Sequence, residues 1–396
     1  MVSITGVFVQ PKLLDSKLAR RGIAKRIYAV LLITLMLVAS VIIFTITNSY
    51  AGEVFVGVMA GHRNVDDLFA FIDEVEEYVN LIIISDLSIT TNSTKLYPIF
   101  DYLQNREIYF IPFMDHLKYI DDPNFFQVAK KRWGKYFLGV YAFDEPGGKQ
   151  IDEFHHRPID EAQNKSDATS KYLKVVAEEG LLFFAEKFNN YSVFDTFTSD
   201  YALFWYDYLA CYNVVFAQFG WNNTRQLQVA LCRGAASAHD SDWGAIITWT
   251  FGQPPYIESP IELYNDMVLA YNNGAKYVLV FNFPTNQTKY GLLTQEHLDK
   301  MQNFWNYVQN NPQPKQNADV AYVLPKDYGF GFRAPNDSIW GLWGPDELSP
   351  KIWNDVNELL ETYNSQLDII YETASPSVFK KYLEIVFWNG TTLSND

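Results

Sequence analysis

From Glu53 to about Pro312, short apolar runs alternate with stretches whose apolar residues recur at helical spacing. The runs are Val54–Ala60, Leu81–Asp86, Ile108–His116, Phe137–Phe143, Ser192–Asp200, Asn213–Trp221, Trp243–Thr250 and Lys276–Pro284. After the first, Asn64 opens a helix whose Leu68, Phe71, Ile72 and Val75 share one face. Strands apolar throughout are buried on both faces. Eight βα units within ~250 residues predict an α/β chain closed into a (β/α)8 TIM barrel. The rival arrangement is a doubly wound open sheet. After Ala142 come Phe143, Asp144, Glu145 and a break at Pro146-Gly-Gly, and the polar stretch Lys149–Ala168 that follows reads as a loop able to fold over a pocket.

Beyond a Pro-containing polar linker at Asn311–Asn317, strand-like runs at Ala318–Pro325, Leu367–Tyr371 and Leu383–Phe387 flank a helix at Lys351–Asn364. Residues 318–396 therefore read as a small flavodoxin-like α/β unit, with no GxGxxG loop to indicate nucleotide binding.

The first 50 residues have a different pattern. The stretch Ile27–Ile46 carries no charge, and at ~1.5 Å per residue its length matches a bilayer core. Lys12, Lys17, Arg20, Arg21, Lys25 and Arg26 precede it against Asp15 alone. The positive-inside rule then predicts a cytoplasmic segment 1–26, a transmembrane signal anchor 27–50 and an external barrel domain 51–312. The alternative is secretion after cleavage near Ala51. Sequons at Asn92, Asn164, Asn190, Asn222, Asn286, Asn336 and Asn389 fit an exported, glycosylated domain.

The net charge of −15 excludes a phosphate-backbone partner. The two cysteines, Cys211 before the sixth strand and Cys232 in the next helix, are placed either for a disulfide or as two free thiols. No HExxH, nucleophile elbow, phosphate loop or zinc-spaced cysteine set is present, so neither a metal nor an organic cofactor is expected.

In a barrel, the strand C-termini share one rim. That rim would gather His62, Asp86, Asp115, Asp144, Glu145, Asp200, Gln218, Trp221, Trp249 and Asn282. Paired carboxylates around one pocket suit glycosidic cleavage, in which one protonates the leaving oxygen and the other attacks the sugar or activates water. Glu145 is expected as the general acid, held extended by Pro146 and raised in pKa among Tyr141 and Phe143. Asp200 is the first choice of partner and Asp115 the second, with Asp144 orienting Glu145. Flat apolar sugar faces call for aromatic rings, supplied by Trp221 and Trp249. Trp340 and Arg333, in the loop Asp327–Pro350, would cap the mouth or cement the contact between units. For Asp86 and Asp144, capping of a helix or loop is the alternative role.

With these residues, the chain over 53–312 resembles the (β/α)8 glycoside hydrolase superfamily. The likeness rests on Phe143-Asp144-Glu145-Pro146, Thr198-Ser199-Asp200, the Trp249 strand end, and Gln218 with Trp221. The trailing unit is similar to the accessory domain behind some β-galactosidase-like barrels. The resemblance implies an extracellular glycosidase with a carbohydrate substrate. The large retaining clan carries Asn-Glu on strand 4 and Glu on strand 7, whereas this chain has Asp144-Glu145 and Thr248-Trp249-Thr250. That departure leaves a second function open, a non-catalytic carbohydrate-binding or cell-envelope surface protein on the same barrel.

Overall fold

The computed structural model describes residues 53–115, 120–152, 157–182, 194–285, 288–314 and 318–395. The predicted anchor at 27–50 and its basic flank lie outside them. Among the described residues, no helix is long and apolar enough to cross a membrane.

Eight parallel strands close into a barrel: β1 (Phe55–Ala60), β2 (Leu81–Ile84), β3 (Tyr109–Met114), β4 (Gly139–Ala142), β5 (Asp195–Asp200), β6 (Val214–Phe219), β7 (Asp242–Ile247) and β8 (Tyr277–Asn282). Closure is explicit in the pairing of β8 with β1, where Phe55 faces Tyr277 and Ala60 faces Asn282. The open-sheet alternative is thereby excluded.

Helices in the first half are α1 (Val65–Val75), α2 (Leu87–Thr90), α3 (Ser93–Gln104), α4 (Phe125–Arg132), α5 (Pro146–Asp152) and α6 (Lys165–Leu173). The second half of the barrel adds α7 (Phe204–Leu209), α8 (Arg225–Ala238), α9 (Pro260–Asn272) and α10 (Gln295–Asn310). The stretch expected as a loop, Lys149–Ala168, thus holds the end of α5 and the start of α6. Caps explain several starts: Asn64 accepts from the amides of Asp66 and Asp67, and Ser259 with Glu262 forms a capping box at α9.

Strand alternation divides the core. Phe55, Met59, Leu81, Ile83, Tyr109, Ile111, Tyr141, Phe197, Val214, Phe216, Ile246, Tyr277 and Leu279 form one buried cluster filling the barrel interior. Val56, Val58, Ile82, Phe110, Val140, Val215 and Val278 point the other way, into the larger core shared with the helices.

The small unit is a four-stranded sheet, ordered β10-β9-β11-β12, built from β9 (Val320–Leu324), β10 (Leu367–Tyr371), β11 (Glu384–Phe387) and the antiparallel β12 (Thr392–Ser394). Its helices are α11 (Ser349–Tyr363) and α12 (Pro376–Phe379). Its strand β10 is seated on barrel helix α8. There Gly234 lies so close to Ile369 that an added Cβ would sit 2.5 Å from its carbonyl oxygen. Beside it the Arg233 guanidinium is buried against Asp368 at 2.8 Å and donates to the carbonyls of Ser365 and Leu367.

Candidate active site

The end of β4 is folded back on itself. Phe143 and Glu145 both have left-handed backbones, at φ 57° and 53°, so the extended conformation expected for Glu145 is not adopted. Such conformations in non-glycine residues cost ~1–3 kcal/mol each and persist only where surrounding bonds enforce them. Those bonds come from β5. The Glu145 amide donates to the Ser199 carbonyl at 3.1 Å, and Thr198 Oγ1 donates to the Phe143 carbonyl at 2.6 Å. Asp200 accepts from the amides of Gly147, Gly148, Tyr201 and Ala202.

Asp200 therefore does not line the pocket. Phe197 and Ser199 point into the barrel, so Asp200 points out of it, beneath the first turn of α5. Its carboxyl is fully buried and both oxygens are taken by backbone amides. A carboxylate held this way cannot reach a sugar, which corrects its expected role as catalytic partner. Burial lifts its pKa to about 7, against the pull of the four amides. Gly147 and Gly148 follow from this packing, since a Cβ on either would meet Ala202 or the Tyr201 ring within 2.4 Å.

Glu145 and Gln218 are brought together. Gln218 Nε2 donates to Glu145 Oε1 at 2.6 Å and to Ser199 Oγ at 2.9 Å. Ser199 Oγ lies 2.7 Å from Tyr141 Oη, which also lies 2.6 Å from Asp144 Oδ1. A phenol has one proton. Tyr141 gives it to the Asp144 carboxylate, so Ser199 donates to Tyr141. The result is a continuous chain from Glu145 through Gln218, Ser199 and Tyr141 to Asp144. Lys149 Nζ bonds the Asp144 carbonyl and stands 4.0 Å from its carboxylate. Burial, then the charge of Asp144, push Glu145 up to about 7, while the Gln218 bond and Lys149 act in the opposite direction.

Asp115 follows β3 and continues the alternation of Ile111 and Phe113, both packed with the interior cluster. Phe113 meets the Tyr141 ring edge-on at 5.3 Å. Across the barrel, the ends of β6–β8 carry aromatic rings. Trp221 is 51% exposed, and Trp249 packs on Tyr256 and Phe281 with centroids 5.4 Å apart in each pair. Phe251 and Phe283 are exposed nearby in sequence.

Other expected site residues are used elsewhere. Asp86 caps α2 through the Ser88 amide. His62 is buried, stacks on Phe71 of α1, and has its pKa lowered by burial. Asn282 is fully buried and bonds the Tyr290 carbonyl and Leu292 amide, fixing the turn after β8. Trp340 is fully buried between Tyr172 and Tyr206 and donates to the Asp327 carbonyl. Arg333 is paired with Asp337 and Asp152. The loop Asp327–Pro350 therefore cements the two units. Gln150 of α5 donates to the Trp340 carbonyl at 2.8 Å, and Arg157 to that of Gly341. Cys211 and Cys232 are free thiols, one exposed and one buried, so the disulfide is not formed. No cluster of histidine, cysteine or carboxylate ligands able to hold a metal occurs among the described residues.

Ser199 and Lys149 belong to the site and were not anticipated. Ser199 was readable from the alternation, two residues beyond inward Phe197. Lys149 gives no signal, because Pro146-Gly-Gly looks like a break and is instead the helical first turn that returns Lys149 to Asp144.

No protein-family model matches the chain, and no curated protein matches it in sequence. Among solved structures, the alpha-L-fucosidase isoenzyme 2 from Paenibacillus thiaminolyticus aligns over 85% of this chain and 60% of its own, with 11% identity and a TM-score of 0.53. The chain shares with that fucosidase a closed (β/α)8 barrel fold. It spans less than two thirds of that fucosidase's length. Gas2p from Saccharomyces cerevisiae, in complex with laminaripentaose, aligns over 68% of both chains at 10% identity and a TM-score of 0.41.

Proposed function

We propose that the chain is a glycoside hydrolase of an extracellular glycan, with Glu145 as general acid. The observation that carries this is the Glu145 carboxyl, half-buried at the end of β4, held by Gln218 at 2.6 Å and lifted to about 7. A carboxyl lifted that far keeps a proton for the leaving oxygen at neutral pH. With Asp200 committed to the backbone, Asp115 is the second carboxylate, acting on the anomeric carbon or on a water beside it. Asp144 raises the Glu145 pKa by its charge. Trp221 and Trp249 supply the apolar faces on which a sugar ring stacks. Export rests on the basic cluster and the uncharged stretch Ile27–Ile46, which would anchor the barrel outside the cell.

Glu145→Gln keeps the Gln218 bond but removes the proton donor. Release of reducing sugar from a panel of chromogenic glycosides should fall by ~10²–10⁴. The thermal midpoint should hardly move. Wild-type turnover in this variant would reject the assignment. A non-catalytic sugar-binding barrel is favoured by one observation, the loss of Asp200 to the backbone. On that reading wild-type protein turns over none of the panel, and Glu145→Gln changes nothing.

A further inference from the structure

The aromatic side of the mouth is built on a buried charge cluster that the proposed chemistry does not use. Arg225, the first residue of α8, sits behind the β6 turn. Its Nη1 donates to the carbonyls of Gly220 and Asn223, both at 2.9 Å, on either side of Trp221. Its Nε bonds Asp266 of α9 at 2.6 Å and its Nη2 bonds Glu258 at 3.0 Å. Glu258 ends the β7 loop that carries Trp249 and Tyr256, and its own carbonyl is held by His297 of α10 at 3.0 Å. The two loops also meet directly, since the Trp221 amide donates to the Trp249 carbonyl at 2.6 Å. Trp221 itself is left-handed at φ 46°. All three charged side chains are largely buried, at 15% exposure for Arg225, 5% for Glu258 and 16% for Asp266.

We infer that Arg225 is the positioning residue of the aromatic platform: its planar fork fixes the Trp221 turn against the Trp249 loop, through Asp266 and Glu258, and so sets how tightly the mouth holds a sugar face. A lysine cannot replace it, because a single ammonium cannot reach two carbonyls and two carboxylates at once. Burial and the Asp266 charge lift Glu258 to about 8, and burial raises Asp266 as well, against the pull of Arg225 on both.

The inference rests on the sugar-binding reading of the mouth, but part of its test does not. Hydrogen exchange of the substrate-free protein should show the Trp221, Thr250 and Phe251 amides exchanging at least about tenfold faster in Arg225→Lys, and the Trp221 amide faster in Asp266→Asn, with β2 amides unchanged. Unchanged exchange in both variants overturns the inference, whatever the enzyme does. On a chromogenic glycoside that the wild type turns over, Arg225→Lys should raise KM about tenfold and leave kcat within about twofold. Trp221→Ala should do the same, and the double variant should be no worse than either alone. A fall in kcat, or KM effects that multiply, would show that Arg225 does not act through the platform.

Discussion

At the scale of single residues, Asp200 and Glu145 show how two carboxyls on adjacent strand ends acquire different roles. Both are lifted to about 7. Only Glu145 bonds a side chain that projects into the barrel. Asp200 instead receives four amides and holds the Gly147–Gly148 turn that fixes the Glu145 backbone. Asp200→Asn places an amide donor among those amides. It should cost about 2–4 kcal/mol in chemical denaturation. It should also lower activity through misplacement of Glu145. A variant of full stability would deny the bracing role. Sequence alone displayed Glu145, because an apolar run ending in Asp-Glu-Pro stands out. The role of Asp200 was hidden by a one-residue difference in side-chain direction.

At the scale of elements, the eight strands were legible because a parallel barrel demands runs apolar on both faces. Val278 and Leu279 are buried on opposite sides of β8, and that leaves a plain mark in the sequence. The contacts between helix and sheet leave none. Gly234 and Arg233 look like ordinary members of α8, and only β10 lying across them explains both. Gly234→Ala drives a methyl into the Ile369 backbone, a group that cannot swing aside. The expected loss is about 1–3 kcal/mol in thermal or urea unfolding. Tolerance of alanine there would mean that β10 does not seat on α8. Trp340 and Arg333 leave two roles open in the sequence, a cap on the mouth or a cement between units, for the same reason. A loop rich in Gly, Trp and Phe announces packing, but not which surface it packs against.

At the scale of the molecule, the buried carboxyls give stability a pH dependence of defined sign. Glu145 and Asp200 titrate at about 7 and Glu258 at about 8 when folded, against roughly 4 when unfolded. Between these values the folded chain keeps protons that the unfolded chain has released, so stability falls as pH rises. His62, His239 and His297 are lowered by burial and act oppositely, but only below the ordinary histidine range near 6.5. The window from about pH 6.5 to about pH 8 therefore belongs to the carboxyls. The thermal midpoint should decline across it, and a flat or rising midpoint would show that these groups are ionised in the folded chain.

The bond from Gln150 to the Trp340 carbonyl reaches further than its 2.8 Å. Gln150 lies in the short helix that follows Glu145, so the loop Asp327–Pro350 acts as an abutment for that carboxyl. Grafting the barrel onto another scaffold without that buttress would transplant Glu145 and leave behind what aims it. The loop Asp327–Pro350 and the end of β4 therefore form one packed unit.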